Sequence, residues 1–192
     1  MIVEGPDLVG KTTLAKSIVS KFNELGWPHI YQHLSRLNEA CRQDIVSVYR
    51  RLMNPYTVRD RFHYSEPLYA AMRGDSALLG PAGYRQVERE LENYGKFLIV
   101  VTADESLIRE RYEDHAKREM YTLDKVLKVN ELYYSAAEDG YYGAYTMPHD
   151  LWIHCTAASP WPLLGEHMNL HTYLNRLWRD YPYAGARRDF KA

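Results

Sequence analysis

A chain of 192 residues is long enough for one compact domain with a substantial core and too short for two large ones. With 26% charged and 46% hydrophobic residues the composition argues against disorder except at the ends, and a formal net charge of −1 argues against broad attraction to polymeric nucleic acid or acidic membranes. No apolar run approaches the roughly 20 residues that span a bilayer, there is no signal-peptide pattern, and Cys41 and Cys155 lack metal-site spacing and read as reduced, buried thiols; a cytoplasmic protein is expected.

The elements follow in chain order. Met1-Ile2-Val3 is an apolar run suited to a buried strand, and residues 12–25 carry Leu14, Ile18, Val19, Phe22 and Leu25 at helical spacing before Gly26 and Pro28 end the pattern. Between them Gly5, Gly10, Lys11 and Thr12 fit G-x-x-x-x-G-K-[ST], whose strand-before, helix-after context is met here. In that pattern the glycines let backbone N–H groups converge on phosphates. Lys11 reaches the outer phosphates, Thr12 can ligate Mg²⁺, and Thr13 follows in the helix's first turn. The bland alternative is a chance glycine-rich turn.

Residues 29–33 predict a second strand, 39–53 a helix stopped by Asn54-Pro55, and 56–59 a third strand ended by Asp60-Arg61. A helix over 66–73 is followed by a loop holding Gly74, Gly80, Pro81 and Gly83, then by a helix over 84–94. Residues 97–102 are the clearest strand. Helices over 105–117 and 123–138, a last core strand over 151–154 and a final helix over 170–179 complete the pattern, with 181–192 as a loose tail. Strands alternating with helices predict an α/β class, a parallel sheet with helices on both faces. No internal repeat or low-complexity segment is present. Most of the 17 tyrosines read as packing residues. His33, His63 and His115 have neither triad nor metal spacing and read as structural.

In such a sheet ligands sit beyond the carboxyl ends of the strands. The E-G-x-D-x-x-G-K-T opening (Glu4 to Thr12), the pair Asp60-Arg61 followed by Phe62, the run from Tyr69 to Gly74, and the passage from Val100 to Tyr112 resemble the thymidylate kinase-like family of P-loop nucleoside monophosphate kinases. Within that family the resemblance extends to phage-type deoxynucleotide kinases. The resemblance implies a P-loop NTP hydrolase fold with a five-stranded parallel sheet and a helical lid at about 109–122, in a single domain over 1–180. It also implies Mg²⁺, ATP as phosphoryl donor, a deoxynucleoside monophosphate acceptor such as dTMP or a related pyrimidine nucleotide, and a homodimer.

It further implies roles. Gly5, Gly10, Lys11, Thr12 and Thr13 would bind the donor phosphates; Lys11, Arg61, Arg111 and Arg118 would be catalytic; Arg109 would join Arg111 and Arg118 on the lid. Arg61 and Arg73 would grip the acceptor phosphate, a task suited to guanidinium geometry. Asp7 would face the acceptor sugar, with Tyr69, Asp60, Glu66 and Arg36 completing the acceptor side. Thr12 and Asp60 would hold the metal, Glu66 being an alternative to Asp60. One or two of Phe62, Tyr64 and Tyr69 would stack on or flank the base.

Each role has a blander counterpart. Arg61 can be a structural partner of Asp60 or Glu66, Asp7 a turn-stabilising residue, and Arg109 and Arg111 part of a solvated helix stitched by local ion pairs. Two other functions compete. A deoxynucleoside kinase needs a general base near the end of the second strand, where the first carboxylate is Glu39 and Arg36 suits an anionic acceptor instead. A nucleotide-dependent switch of the guanine type carries an N-K-x-D segment, which the sequence lacks, and Asp104 reads there as a helix N-cap.

Overall fold

Parallel pairing of short buried strands builds the centre of the protein. The computed structural model describes residues 1–35, 37, 43–115 and 120–158, which fall within the unit Met1–Pro162. In chain order they form β1 (Ile2–Glu4), α1 (Lys11–Glu24), β2 (Ile30–His33), α2 (Ile45–Leu52), β3 (Thr57–Asp60), α3 (Ser65–Arg73), α4 (Pro81–Asn93), β4 (Leu98–Ala103), α5 (Glu105–His115), α6 (Leu123–Asp139), β5 (Tyr141–Tyr142), β6 (Tyr145–Thr146) and β7 (Leu151–Cys155). One sheet runs β2-β3-β1-β4-β7, every pair parallel. The class is α/β, a five-stranded parallel sheet flanked by helices.

The central strands are buried on both faces, as parallel sheets require. Ile2, Leu98 and Val100 belong to a core cluster with Tyr49, Leu68, Tyr84, Val87 and Tyr133 from the helices, whereas Val3, Ile99 and Val101, at the alternate positions, are equally buried. α1 turns Leu14, Ile18 and Phe22 of the predicted stripe inward together with Ala15, while Val19 and Leu25 are half-buried. Asn130 of α6 clamps the end of β4 through Ala103, accepting its N–H at 3.1 Å and donating to its carbonyl at 2.8 Å.

The register brings the last residues of the strands to one edge. Val3 pairs with Asp60, Glu4 with Val100, His33 with Asp60, and Ala103 with Cys155. After β1 the chain builds β2 and β3 on one side and then β4 and β7 on the other, so β1 and β4 flank the point where the strand order reverses. A crevice forms at such a point.

Three local expectations change. Pro81 opens α4 instead of lying in a loop, since proline at the first helical position loses no hydrogen bond. Gly83 is inside that helix, where a Cβ would stand 3.1 Å from Val46 Cγ2; the missing side chain lets α4 approach α2. The α-helix ended by Asn54-Pro55 runs only over Ile45–Leu52, after a short 3₁₀ turn at Gln43 and Asp44. A hairpin of β5 and β6 was not expected: Tyr141 and Tyr142 pair with Thr146 and Tyr145 across a two-residue turn begun by Gly143 at φ 56°. The expected helix at 170–179, the tail at 181–192 and Cys41 lie outside the described residues, while Cys155 is buried and unpaired, with burial pushing its thiol up to about 11. Among the described residues no helix is long and apolar enough to cross a membrane.

Candidate functional site

Two glycines shape the loop between β1 and α1. Gly5 has φ 150° and lies against β4 so closely that a Cβ would collide with the Val101 carbonyl. Gly10 has φ 92° and caps α1 with no side-chain hydrogen bond. The first N–H groups of a helix have no intrahelical acceptor, so α1 presents an uncapped, electropositive end with no acidic residue in its first turn. Thr12 and Thr13 are exposed there. Leu8, at the apex, adopts φ 69°, and its carbonyl accepts Arg111 Nη1 at 2.6 Å. That bond ties α5 to the loop.

Lys11 begins α1 and is buried; its Nζ donates to the Pro6 carbonyl and lies 3.8 Å from Asp7 Oδ1. Burial, with the nearby positive charge of Arg61, lowers its ammonium to about 8. Asp60, the last residue of β3, is fully buried and accepts the Thr12 hydroxyl at 2.5 Å and the Tyr31 hydroxyl at 3.0 Å, with His33 Nδ1 at 3.2 Å. All three meet the same oxygen, Oδ2. Burial alone would push the Asp60 carboxyl up, but Lys11 and these hydrogen bonds hold it below the ordinary range.

Asp60 Oδ1 is buried with no hydrogen-bond partner, and an orphaned buried carboxylate oxygen calls for an ion or ordered water. Beside the Thr12 hydroxyl it fits a hard divalent cation that keeps several of its own waters. Among the described residues no cluster of three His, Cys, Asp or Glu side chains makes a self-sufficient metal site. Glu66 is committed elsewhere: its carboxylate accepts the Leu78 N–H at 2.6 Å and the Leu79 N–H at 3.3 Å, which leaves Asp60 as the carboxylate facing Thr12.

Arg61 follows β3 in the left-handed region, φ 70°, a conformation that costs a side-chain-bearing residue roughly 1–2 kcal/mol. Its N–H still donates to Val3 O at 2.9 Å. Its guanidinium pairs with Asp7 Oδ1, donates to the Tyr69 hydroxyl at 2.7 Å, and stacks 4.6 Å from the Tyr69 ring centre. The Tyr69 hydroxyl donates in turn to Asp7 Oδ2 at 3.2 Å. Arg61 therefore pairs with Asp7, neither with Asp60 nor with Glu66. Asp7 faces this cluster, and although burial works against its charge, Lys11 and Arg61 hold its carboxyl below the ordinary range.

Arg61, Tyr69, Glu66 and Arg73 line an open cleft with Phe62, Ser65, Tyr49, Tyr121 and apolar residues after β2 and before α4. Arg73 donates to Asp75 at 2.7 Å from α3. Of the aromatic candidates, Phe62 and Tyr69 line the cleft but Tyr64 does not: its hydroxyl donates to Glu88 at 2.5 Å in the core. On α5, Arg109 donates to Glu105 one turn back at 2.7 Å, the local pair that its spacing allows. Asp104 stands at the N-cap position of α5, where its carbonyl accepts the Leu107 and Ile108 N–H groups at 3.1 and 3.2 Å, and its side chain meets His154 Nε2 at 3.0 Å. Arg36 and Arg118 lie outside the described residues.

Sequence reading placed Glu4 in the opening motif but gave it no role. Its side chain is fully buried and accepts the Phe62 N–H at 2.6 Å, the Tyr133 hydroxyl at 2.8 Å and the Ser65 hydroxyl. Burial pushes its carboxyl up to about 7 against these bonds. The available signal was a lone acid ending an apolar strand. No protein-family model matches this chain, and no curated protein matches its sequence.

Proposed function

We propose that this protein is an ATP-dependent nucleoside monophosphate kinase with a P-loop fold, acting on a deoxynucleoside monophosphate, with dTMP or a related pyrimidine nucleotide as the acceptor. The observation that carries the reading is that Lys11 and Arg61 are both brought to Asp7 Oδ1, beyond the carboxyl ends of β1 and β3. One cation belongs to a glycine-shaped helix start suited to polyphosphate. The other opens onto a cleft that also holds Arg73. Two anions meeting require cations at their junction, and a neutral acceptor would not need a second arginine in its cleft.

In this reading an acceptor phosphate oxygen attacks the γ-phosphorus of ATP, the bond from that phosphorus to the β–γ bridging oxygen breaks, and ADP leaves with the electron pair. Lys11 moves from the Pro6 carbonyl to the transferring group. Arg61 exchanges Asp7 for the acceptor phosphate, which frees Asp7 to accept a hydrogen bond from the sugar. Arg111, anchored on Leu8 O, lies near enough to the loop to add positive charge as the site closes. Thr12 and Asp60 would hold Mg²⁺, which when bound neutralises charge on the donor phosphates.

ADP release measured over a panel of nucleoside monophosphates, with thymidine and with GTP alone, tests the proposal. Turnover of a deoxynucleoside monophosphate that Arg61→Ala abolishes or weakens by about 100-fold supports it, a loss suited to a charged, desolvated contact. Activity on thymidine alone, or GTP hydrolysis indifferent to every monophosphate, refutes it.

A further inference from the structure

We propose that Glu4 is a positioning residue that holds Arg61 in its cleft-facing conformation and so sets the affinity for the acceptor phosphate, an inference that rests on the reading of Arg61 above. Arg61 is one of two non-glycine residues with positive φ among those described. Such a conformation persists only where the surroundings over-determine it. Both flanking peptide N–H groups are held by consecutive residues of β1: Arg61 N–H by the Val3 carbonyl at 2.9 Å and Phe62 N–H by Glu4 Oε1 at 2.6 Å. The second of these is a charge-assisted bond when Glu4 is ionised, and it fixes the peptide immediately after the strained residue.

The other oxygen of Glu4 is held just as firmly. Oε2 accepts the Ser65 hydroxyl from α3 and the Tyr133 hydroxyl from α6, and those two hydroxyl oxygens are 2.8 Å apart. Glu4 thus joins β1, the turn after β3, the start of α3 and the middle of α6. On its face of the sheet Arg59 of β3 stands level with Ile2, while Ile2 on its own strand and Leu98 and Val100 on β4 are apolar. Burying a carboxylate among them is costly. An apolar side chain would pack there at lower cost, but it would leave the Phe62 N–H without its acceptor and Arg61 with one fewer restraint.

Kinetics of Glu4→Leu and Glu4→Gln, with ATP and the active monophosphate varied separately, test the inference alongside NMR of the Phe62 amide and the Arg61 side-chain N–H. Glu4→Leu is expected to raise the acceptor KM about tenfold or more while the ATP KM stays within about twofold, and Glu4→Gln, which keeps an oxygen for Phe62, to fall between it and wild type. Ser65→Ala and Tyr133→Phe, milder variants should Glu4→Leu fail to fold, are expected to raise the acceptor KM alone by a smaller factor. Proportional losses for both substrates, or an unchanged acceptor KM, overturn the proposal. The NMR readout does not depend on turnover: resonances that stay in place in Glu4→Leu, or in the two milder variants if it does not fold, refute the hold on Arg61. If they move in a protein that phosphorylates no monophosphate, the kinase reading fails and the restraint stands.

Discussion

Thr12 Oγ1 donates to Asp60 Oδ2 at 2.5 Å, so a hydroxyl in the first turn of α1 meets the last carboxylate of β3 across 48 positions of sequence. Next to it Asp60 Oδ1 is buried and unsatisfied. Asp60→Asn keeps the shape but removes the charge, and it should raise the Mg²⁺ concentration for half-maximal activity by about tenfold or more, the scale for loss of one metal partner. Titrating turnover against Mg²⁺ at saturating nucleotide checks this. An unchanged Mg²⁺ requirement would separate Asp60 from the metal.

Arg61→Lys keeps the charge and loses the planar fork that reaches Asp7 and Tyr69 together. An ammonium cannot grip a phosphate with two parallel bonds. The acceptor KM should rise by roughly tenfold, with the ATP KM near wild type. Equal performance of lysine would mean that Arg61 supplies charge alone.

At Gly5 a methyl group would collide with the Val101 carbonyl, which is backbone and cannot swing aside. Gly5→Ala should therefore displace the loop from β4, lowering stability by about 1–3 kcal/mol, the range for a strained backbone site, and weakening ATP binding. Denaturant unfolding and nucleotide titration report the two effects. Gly74, at φ 75° with open space around it, should lose stability on substitution by alanine but leave nucleotide binding intact.

Glu88 provides a pH test away from the site. Burial would raise its carboxyl, but the adjacent His63 ring, Lys96 at 2.9 Å and Tyr64 at 2.5 Å outweigh it and hold the group at about 2. A carboxyl depressed in the folded state contributes stability above its unfolded value of 4.5, and this is lost as pH falls from there toward 2. Glu4, raised to about 7, has the opposite sign, losing stability as pH rises from 4.5 to 7. Glu88→Gln should flatten the stability profile below pH 4.5, as read by urea unfolding across pH.

The strands, the helix after Lys11 and the glycine-shaped loop were legible because hydrophobic spacing and the glycine pattern are local signals. The hairpin over Tyr141–Thr146 escaped because its two-residue strands are too short to show alternation, although Gly143 marked its turn. Tyr64 and Tyr69 look alike in sequence. They separate only in space, since α3 carries Tyr69 to the cleft while Tyr64, just before it, turns into the core toward Glu88.

The sequence by itself determined the α/β class and the chemical set at the site: Gly5, Gly10, Lys11, Thr12, Asp60 and Arg61. Only the tertiary structure decided the partners. Asp7 belongs to Arg61 and Tyr69, Asp60 to Thr12, Glu66 to the Leu78 and Leu79 N–H groups, and Glu4 to the turn that holds Arg61. The reason is physical. Periodicity and turn chemistry act over a few residues, whereas the pairings of Asp7 with Arg61, Asp60 with Thr12 and Glu4 with Phe62 depend on parallel register, which sets Val3 beside Asp60 and so brings together groups 48 to 58 positions apart.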